Sequence, residues 1–337
     1  MTNLLESGSI AATRPFLKKG GPHLVLYISC NCWALPIWGR VPMHCPFTES
    51  LVEMPKKITI AHSPDSDDAY MMAPLANGWL EDDDDFSQFS FEFVMKDIET
   101  LNNEAHGALY DVTAISFGAY PEIKDKYELL RAGSSVQDGT GPLVVSGSPM
   151  NPESLEGATV AIPGKKTSAY LSMCRWRPRL NVECVPFDRI MDEVAQGKFQ
   201  AGLLIHEGQL MYKDRGLHLV VDLGLWWKRE FGLPLPMGGN AIKKSMPPEQ
   251  KLVFARLMKK SVELAMARHQ ESLDYAMSFC RGMDRGTVEK YVRAWVNDFT
   301  VDIGDIGEKA VAQLLGEHAQ WVHDPPIEAT CHASARP

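Results

Sequence analysis

The sequence predicts an α/β protein folded as a two-lobed clamp, in which the chain crosses between lobes twice and leaves a ligand cleft between them. Short apolar runs alternate with helical patterns from Lys56 onward, the mark of βαβ architecture. Two Gly- and Pro-rich connections, Gly141-Pro-Leu-Val-Val-Ser-Gly147 and Gly232-Leu-Pro-Leu-Pro-Met-Gly-Gly239, interrupt the alternation and suit hinge crossings that absorb backbone rotation. After Leu235 the texture changes to long amphipathic helices, as in a chain that returns to finish its first lobe. The expected lobes are residues 56–145 with 236–325, and residues 146–235.

Each element follows from its pattern. Ile58 to Ala61 reads as a strand, Asp68 to Asn77 as a short helix, Ser90 to Met95 as a strand and Ile98 to His106 as a helix. Val112 to Ser116 and Tyr127 to Ala132 are the next strands. The second set runs from strand Thr159 to Ile162 through a helix opening at Thr167, strand Val182 to Val185 and helix Asp188 to Gln196, to strands Ala201 to Ile205 and Leu217 to Asp222. Pro247 opens a helix reaching about His269, and helical patterns follow at Glu271 to Cys280, Thr287 to Asp298 and Ile306 to Val322. Met258, Met266, Met277 and Trp295 sit at core-facing spacing on these patterns and read as packing.

Residues 1–55 and 326–337 stand apart from this organisation. Arg14, Lys18 and Lys19 precede an apolar stretch from Leu24 to Trp38 that is short for a membrane span and contains Asn31 and Pro36. Met54-Pro-Lys-Lys-Ile-Thr-Ile-Ala61 runs directly into the first strand, so the preceding residues read as an over-called start or a disordered extension rather than an export signal. Cytoplasmic location is the expectation.

Composition narrows the function classes. A net charge of −9 without clustered Lys and Arg argues against nucleic acid, which leaves a small molecule as the expected partner. The run Glu81-Asp82-Asp83-Asp84-Asp85 lacks the Gly and closing Glu of a calcium loop and reads as a solvated turn. Seven cysteines without a CxxC pair support neither zinc nor a disulfide framework. No metal site is expected from these residues.

Four segments carry chemistry. The apolar run Ala201 to Ile205 fits a buried parallel strand, and it ends abruptly in His206-Glu207, where strand ends face the ligand crevice of α/β folds. His206 is therefore the candidate base, although a strand-end histidine satisfied by hydrogen bonds gives the same pattern. The first loop, His62-Ser63-Pro64-Asp65-Ser66-Asp67-Asp68, holds three aspartates where one helix cap needs only one, and suits ligand hydroxyls. Gly164-Lys165-Lys166-Thr167-Ser168 opens a helix whose start favours a carboxylate; it lacks P-loop spacing. Ser116, at a strand end with no GxSxG elbow, is a ligand contact rather than a nucleophile. Trp226-Trp227 suits either a flat ligand or lobe packing.

Taken in order, Ser63-Pro64 to Asp68, Gly141 to Val145, Gly164 to Tyr170, Gly202-Leu-Leu-Ile-His206-Glu207 and Asp222-Leu-Gly-Leu-Trp-Trp with Gly232-Leu-Pro-Leu-Pro236 resemble the 1,4-dihydroxy-6-naphthoate synthase family of the futalosine route to menaquinone. The resemblance implies a periplasmic-binding-protein-like fold of type II. It implies a cofactor-free lyase that converts cyclic dehypoxanthinylfutalosine to 1,4-dihydroxy-6-naphthoate with release of a three-carbon fragment. It also implies that His206 is the base, with Glu207 an orienting or helix-start carboxylate, and that Ser63, Asp67, Asp68, Thr167 and Ser168 bind substrate carboxylate and hydroxyls. The first loop departs from the Ser-Pro-Cys-Pro-Asn-Asp of many members between its Ser-Pro and its last aspartate. A solute-binding protein of the same shape is the alternative without chemistry.

Overall fold

The computed structural model describes residues 54–206, 208–280 and 283–323. Residues 1–53, Glu207 and the tail after His323 lie outside the described residues, and with them the expectations for the extension, for Glu207 and for residues 326–337.

Two sheets carry the architecture. The first orders its strands Trp321–Val322, Tyr127–Leu130, Leu235–Lys243, Val112–Ser116, Lys56–His62 and Phe89–Met95, with Ser135–Gln137 paired to Leu235–Lys243. The second orders His218–Asp222, Leu143–Ser146, Ala201–Leu204, Thr159–Ile162 and Asn181–Cys184. The strand that returns from the second lobe therefore sits inside the first sheet. It pairs antiparallel with Val112–Ser116 on one side and Tyr127–Leu130 on the other.

The two connections expected as hinge crossings carry strands, Leu143–Ser146 and Leu235–Lys243. The expected lobe boundary at 145/146 falls inside Leu143–Ser146, which pairs antiparallel with Ala201–Leu204 in the second sheet. Ala201–Leu204 is consequently mixed rather than purely parallel, running parallel only to Thr159–Ile162. Its side chains are all buried, because it is central in its sheet and covered on both faces. Ile190 and Val194 cover one face, Met173 and Leu223 the other. Each such side chain contributes roughly 1.5–3 kcal/mol when fully withdrawn from water.

Several helical expectations need correction. The pattern Ile306 to Val322 is broken: the helix Gly304–Leu315 ends at Gly316, whose φ of +79° is the left-handed cap glycine adopts freely, and Trp321–Val322 is an edge strand. Asp222 caps an unexpected helix, Leu223–Phe231, by accepting from the N–H groups of Gly224 and Leu225. That helix buries Trp227 completely, with its indole N–H donating to the carbonyl of Pro234 at 3.1 Å, so the tryptophan pair packs the lobes rather than walling the ligand site. Met258 is buried as expected, but Met266 is 38% exposed and faces solvent. The acidic run is more than a solvated turn, since Asp85 pairs with Arg256 at 3.0 Å and Asp83 with Lys260 at 2.6 Å, tying it to helix Pro248–Ala267.

Candidate functional site

Four loops converge on one cleft of about 670 Å³ including its open mouth. Each loop leaves the carboxyl end of a strand, where backbone turns outward and side chains meet the crevice. Ser63, Asp67 and Asp68 arrive after Lys56–His62, Ser116 ends Val112–Ser116, Thr167 and Ser168 follow Thr159–Ile162, and His206 follows Ala201–Leu204. All seven line the cleft together.

His206 stands out by its backbone. Its φ is +51°, a left-handed value shared by Ala108 alone among the described non-glycine residues. A side chain costs energy in that region, and such outliers concentrate where surrounding structure forces a functional geometry. The imidazole is mostly buried, lies edge-on to Phe187 with ring centroids 5.1 Å apart, and brings Nδ1 within 3.4 Å of an Asp65 carboxylate oxygen.

The first-lobe wall is acidic and internally bonded. Ser63 donates its hydroxyl proton to Asp65 at 2.7 Å, and its N–H donates to Asp68 at 3.0 Å. Ser63 thus offers the cleft only acceptor capacity. Burial pushes the Asp68 carboxyl above the ordinary carboxylate range; nearby His62 opposes the rise and the Asp65 charge adds to it. Asp67 accepts from the Ser135 hydroxyl at 3.1 Å. Ser116 is held by Asn102, whose amide nitrogen donates to its hydroxyl at 3.2 Å and whose oxygen accepts its N–H at 2.9 Å, leaving the Ser116 proton for a ligand.

The second-lobe wall is a helix start. Thr167 caps Ser168–Trp176 by accepting from the N–H of Tyr170 at 3.1 Å, while its own proton goes to the carbonyl of Gly164 at 2.9 Å. Its hydroxyl is spent on local structure, so what this loop presents is the Ser168 hydroxyl and the polarity of the helix end. Ser168 accepts from the N–H of Gly118 at 3.0 Å, a bond from one lobe to the other. Glycine suits position 118, since a Cβ would lie 3.0 Å from the carbonyl oxygen of Lys166 and press it back by a few tenths of an ångström. Lys166 bridges the lobes as well, 3.1 Å from Glu122.

Sequence reasoning missed several lining groups. Trp295, read as packing, and Tyr291 both face the cleft from helix Arg285–Trp295, because a cleft-facing stripe and a core-facing stripe share one helical period. Met237, Gly238 and Gly239 reach it from the returning strand, and Gln209 from the short helix Gly208–Met211. Among the described residues no group of three or more His, Cys, Asp or Glu is placed to hold a metal ion, and no helix is long and apolar enough to cross a membrane.

Residues 58–320 match the family described as menaquinone biosynthesis. A 1,4-dihydroxy-6-naphthoate synthase of Thermus thermophilus is 35% identical over 260 residues, which span 77% of this chain and 93% of that protein. A crystal structure of a protein from Archaeoglobus fulgidus shares 41% identity and a TM-score of 0.71, covering 77% of this chain and 96% of that one. A Candida albicans protein described as having the generic periplasmic binding protein fold superposes with a TM-score of 0.59 at 11% identity, over 77% of this chain and 89% of that one. That likeness fixes the fold class and nothing more.

Proposed function

The chain belongs to the menaquinone-biosynthesis family of 1,4-dihydroxy-6-naphthoate synthases, and from that premise we propose that it is a carbon–carbon lyase acting on cyclic dehypoxanthinylfutalosine in the cytoplasm. The observation that carries this reading is the strained, cleft-facing imidazole of His206 opposite a wall of hydroxyls and carboxylates. A neutral imidazole carries one bare ring nitrogen able to accept a proton, so a positioned His206 suits proton abstraction at the substrate carbon. Ring opening and carbon–carbon cleavage then follow, with release of a three-carbon fragment and aromatisation to 1,4-dihydroxy-6-naphthoate.

The remaining residues orient and shield. Ser168 and the helix start beside it receive the substrate carboxylate, and Ser63, Ser116, Asp67 and Asp68 meet its hydroxyls. Thr167 serves by holding the helix start in place. The two lobes move about the crossings that join them, admit substrate when open and exclude water when closed.

The test is turnover by the full chain. Incubation with cyclic dehypoxanthinylfutalosine should yield 1,4-dihydroxy-6-naphthoate, followed by chromatography. Tight binding of the substrate without product would overturn the lyase and leave a binding protein.

A further inference from the structure

Asp65 occupies the N-cap position of helix Ser66–Ala76 yet makes no side-chain cap bond. An aspartate at that position ordinarily accepts from the second or third helical N–H. Here the carboxylate is turned away from the helix. One of its oxygens accepts the Ser63 hydroxyl at 2.7 Å and lies 3.4 Å from His206 Nδ1 on the opposite lobe. The side chain is 9% exposed, and Asp65 forms part of the wall between the cleft and a neighbouring groove of about 1,290 Å³, lining both. A capping residue that gives up its cap to face an imidazole across a cleft needs a reason.

Resting on the lyase reading, we propose that Asp65 is a positioning residue for His206, holding the proton on Nδ1 and turning an unprotonated Nε2 toward the substrate. The chemistry requires this polarity, because an ionised carboxylate only accepts hydrogen bonds and so favours the tautomer whose Nδ1 carries the proton. Ser63 fixes the carboxylate from one side, through its hydroxyl and by accepting the Asp65 N–H at 3.2 Å. Phe187 and the left-handed backbone fix the imidazole from the other. At 3.4 Å the pair is looser than a finished hydrogen bond, and contacts of this kind tighten when ligand is bound. The partners sit on different lobes, so their contact joins the two walls of the cleft.

The experiment uses the full chain labelled with 15N-histidine, with the His206 ring signals assigned by their loss in His206→Ala. In the parent the ring shifts should report a protonated Nδ1 and a bare Nε2. Asp65→Asn presents an amide donor to Nδ1 and should reverse that pattern, lower kcat at least 100-fold and leave KM within about threefold; Asp65→Glu should recover part of kcat. Unchanged ring shifts in Asp65→Asn would overturn the proposal, as would a kcat loss under threefold. If Asp65→Asn does not fold, Ser63→Ala, which frees the carboxylate, should give a mixture of tautomers, and an unchanged single tautomer there would count against it. The nitrogen spectrum is read without substrate, so a parent chain that fails to turn over cyclic dehypoxanthinylfutalosine overturns the lyase reading alone.

Discussion

The two walls of the cleft are made by one device, a loop leaving the carboxyl end of a strand, and yet they carry opposite chemistry. The first-lobe wall gathers Asp65, Asp67 and Asp68 with Ser63 and Ser116, nearly all engaged in hydrogen bonds within their own lobe. The second-lobe wall offers a helix start and one imidazole, and its contacts reach across to the other lobe. The first wall is thus tied together within its own lobe, whereas the second is tied across the cleft. The cleft draws its polar lining from both lobes, and neither lobe alone encloses it.

The strongest way to break this contrast is to remove the base. His206→Ala should reduce turnover by about 10²- to 10⁴-fold while calorimetric binding of substrate persists, because the first wall is untouched. Equal losses of binding and turnover would mean that His206 holds substrate. Next comes the closure itself. Gly118→Ala places a Cβ about 3.0 Å from the Lys166 carbonyl oxygen and should weaken substrate affinity roughly tenfold by disfavouring the closed form, with the unliganded chain expanding in small-angle scattering.

Smaller effects separate the walls further. Thr167→Ala removes the cap of Ser168–Trp176 and should cost about 1 kcal/mol of stability in denaturant melts, with kcat nearly kept, since its hydroxyl faces its own loop. Glu99→Gln should act least. Burial pushes the Glu99 carboxyl above its ordinary 4.5, with Lys166 across the cleft among the groups opposing the rise. A carboxyl raised in the folded state adds stability below its ordinary value, and that contribution is lost as pH climbs through the raised value. The glutamine variant should flatten melting temperature against pH over that window, by less than about 1 kcal/mol given the partial exposure of the group.

Much of the site was legible because strand ends announce themselves: an apolar run closing on His206, Ser116 or Ser63 leaves few places for the polar group but the crevice. The Asp65–His206 pair was not legible, since the partners lie far apart in the chain and only the packing of two lobes brings them within 3.4 Å. Trp295 misled for a different reason, its helical spacing being the same whether it faces core or cleft. In the fold, the alternation from Lys56 onward located most strands within a residue or two. Leu235–Lys243 escaped notice because Pro236, Gly238 and Gly239 imitate a turn; the proline and first glycine flank a register irregularity in the ladder with Ser135–Gln137.

That same strand dictates an order of assembly. Leu235–Lys243 is wedged between Val112–Ser116 and Tyr127–Leu130, so the first sheet has a gap at its centre until residues 235–243 have been synthesised and delivered. The second sheet draws only on Leu143 to Asp222 and has no such debt. Pairings of large sequence separation form slowly, and partly formed sheets expose edges that invite aggregation. The later-numbered lobe should therefore mature first on the ribosome, and a chain halted before Leu235 would leave the aspartate-bearing loop on an unfinished sheet.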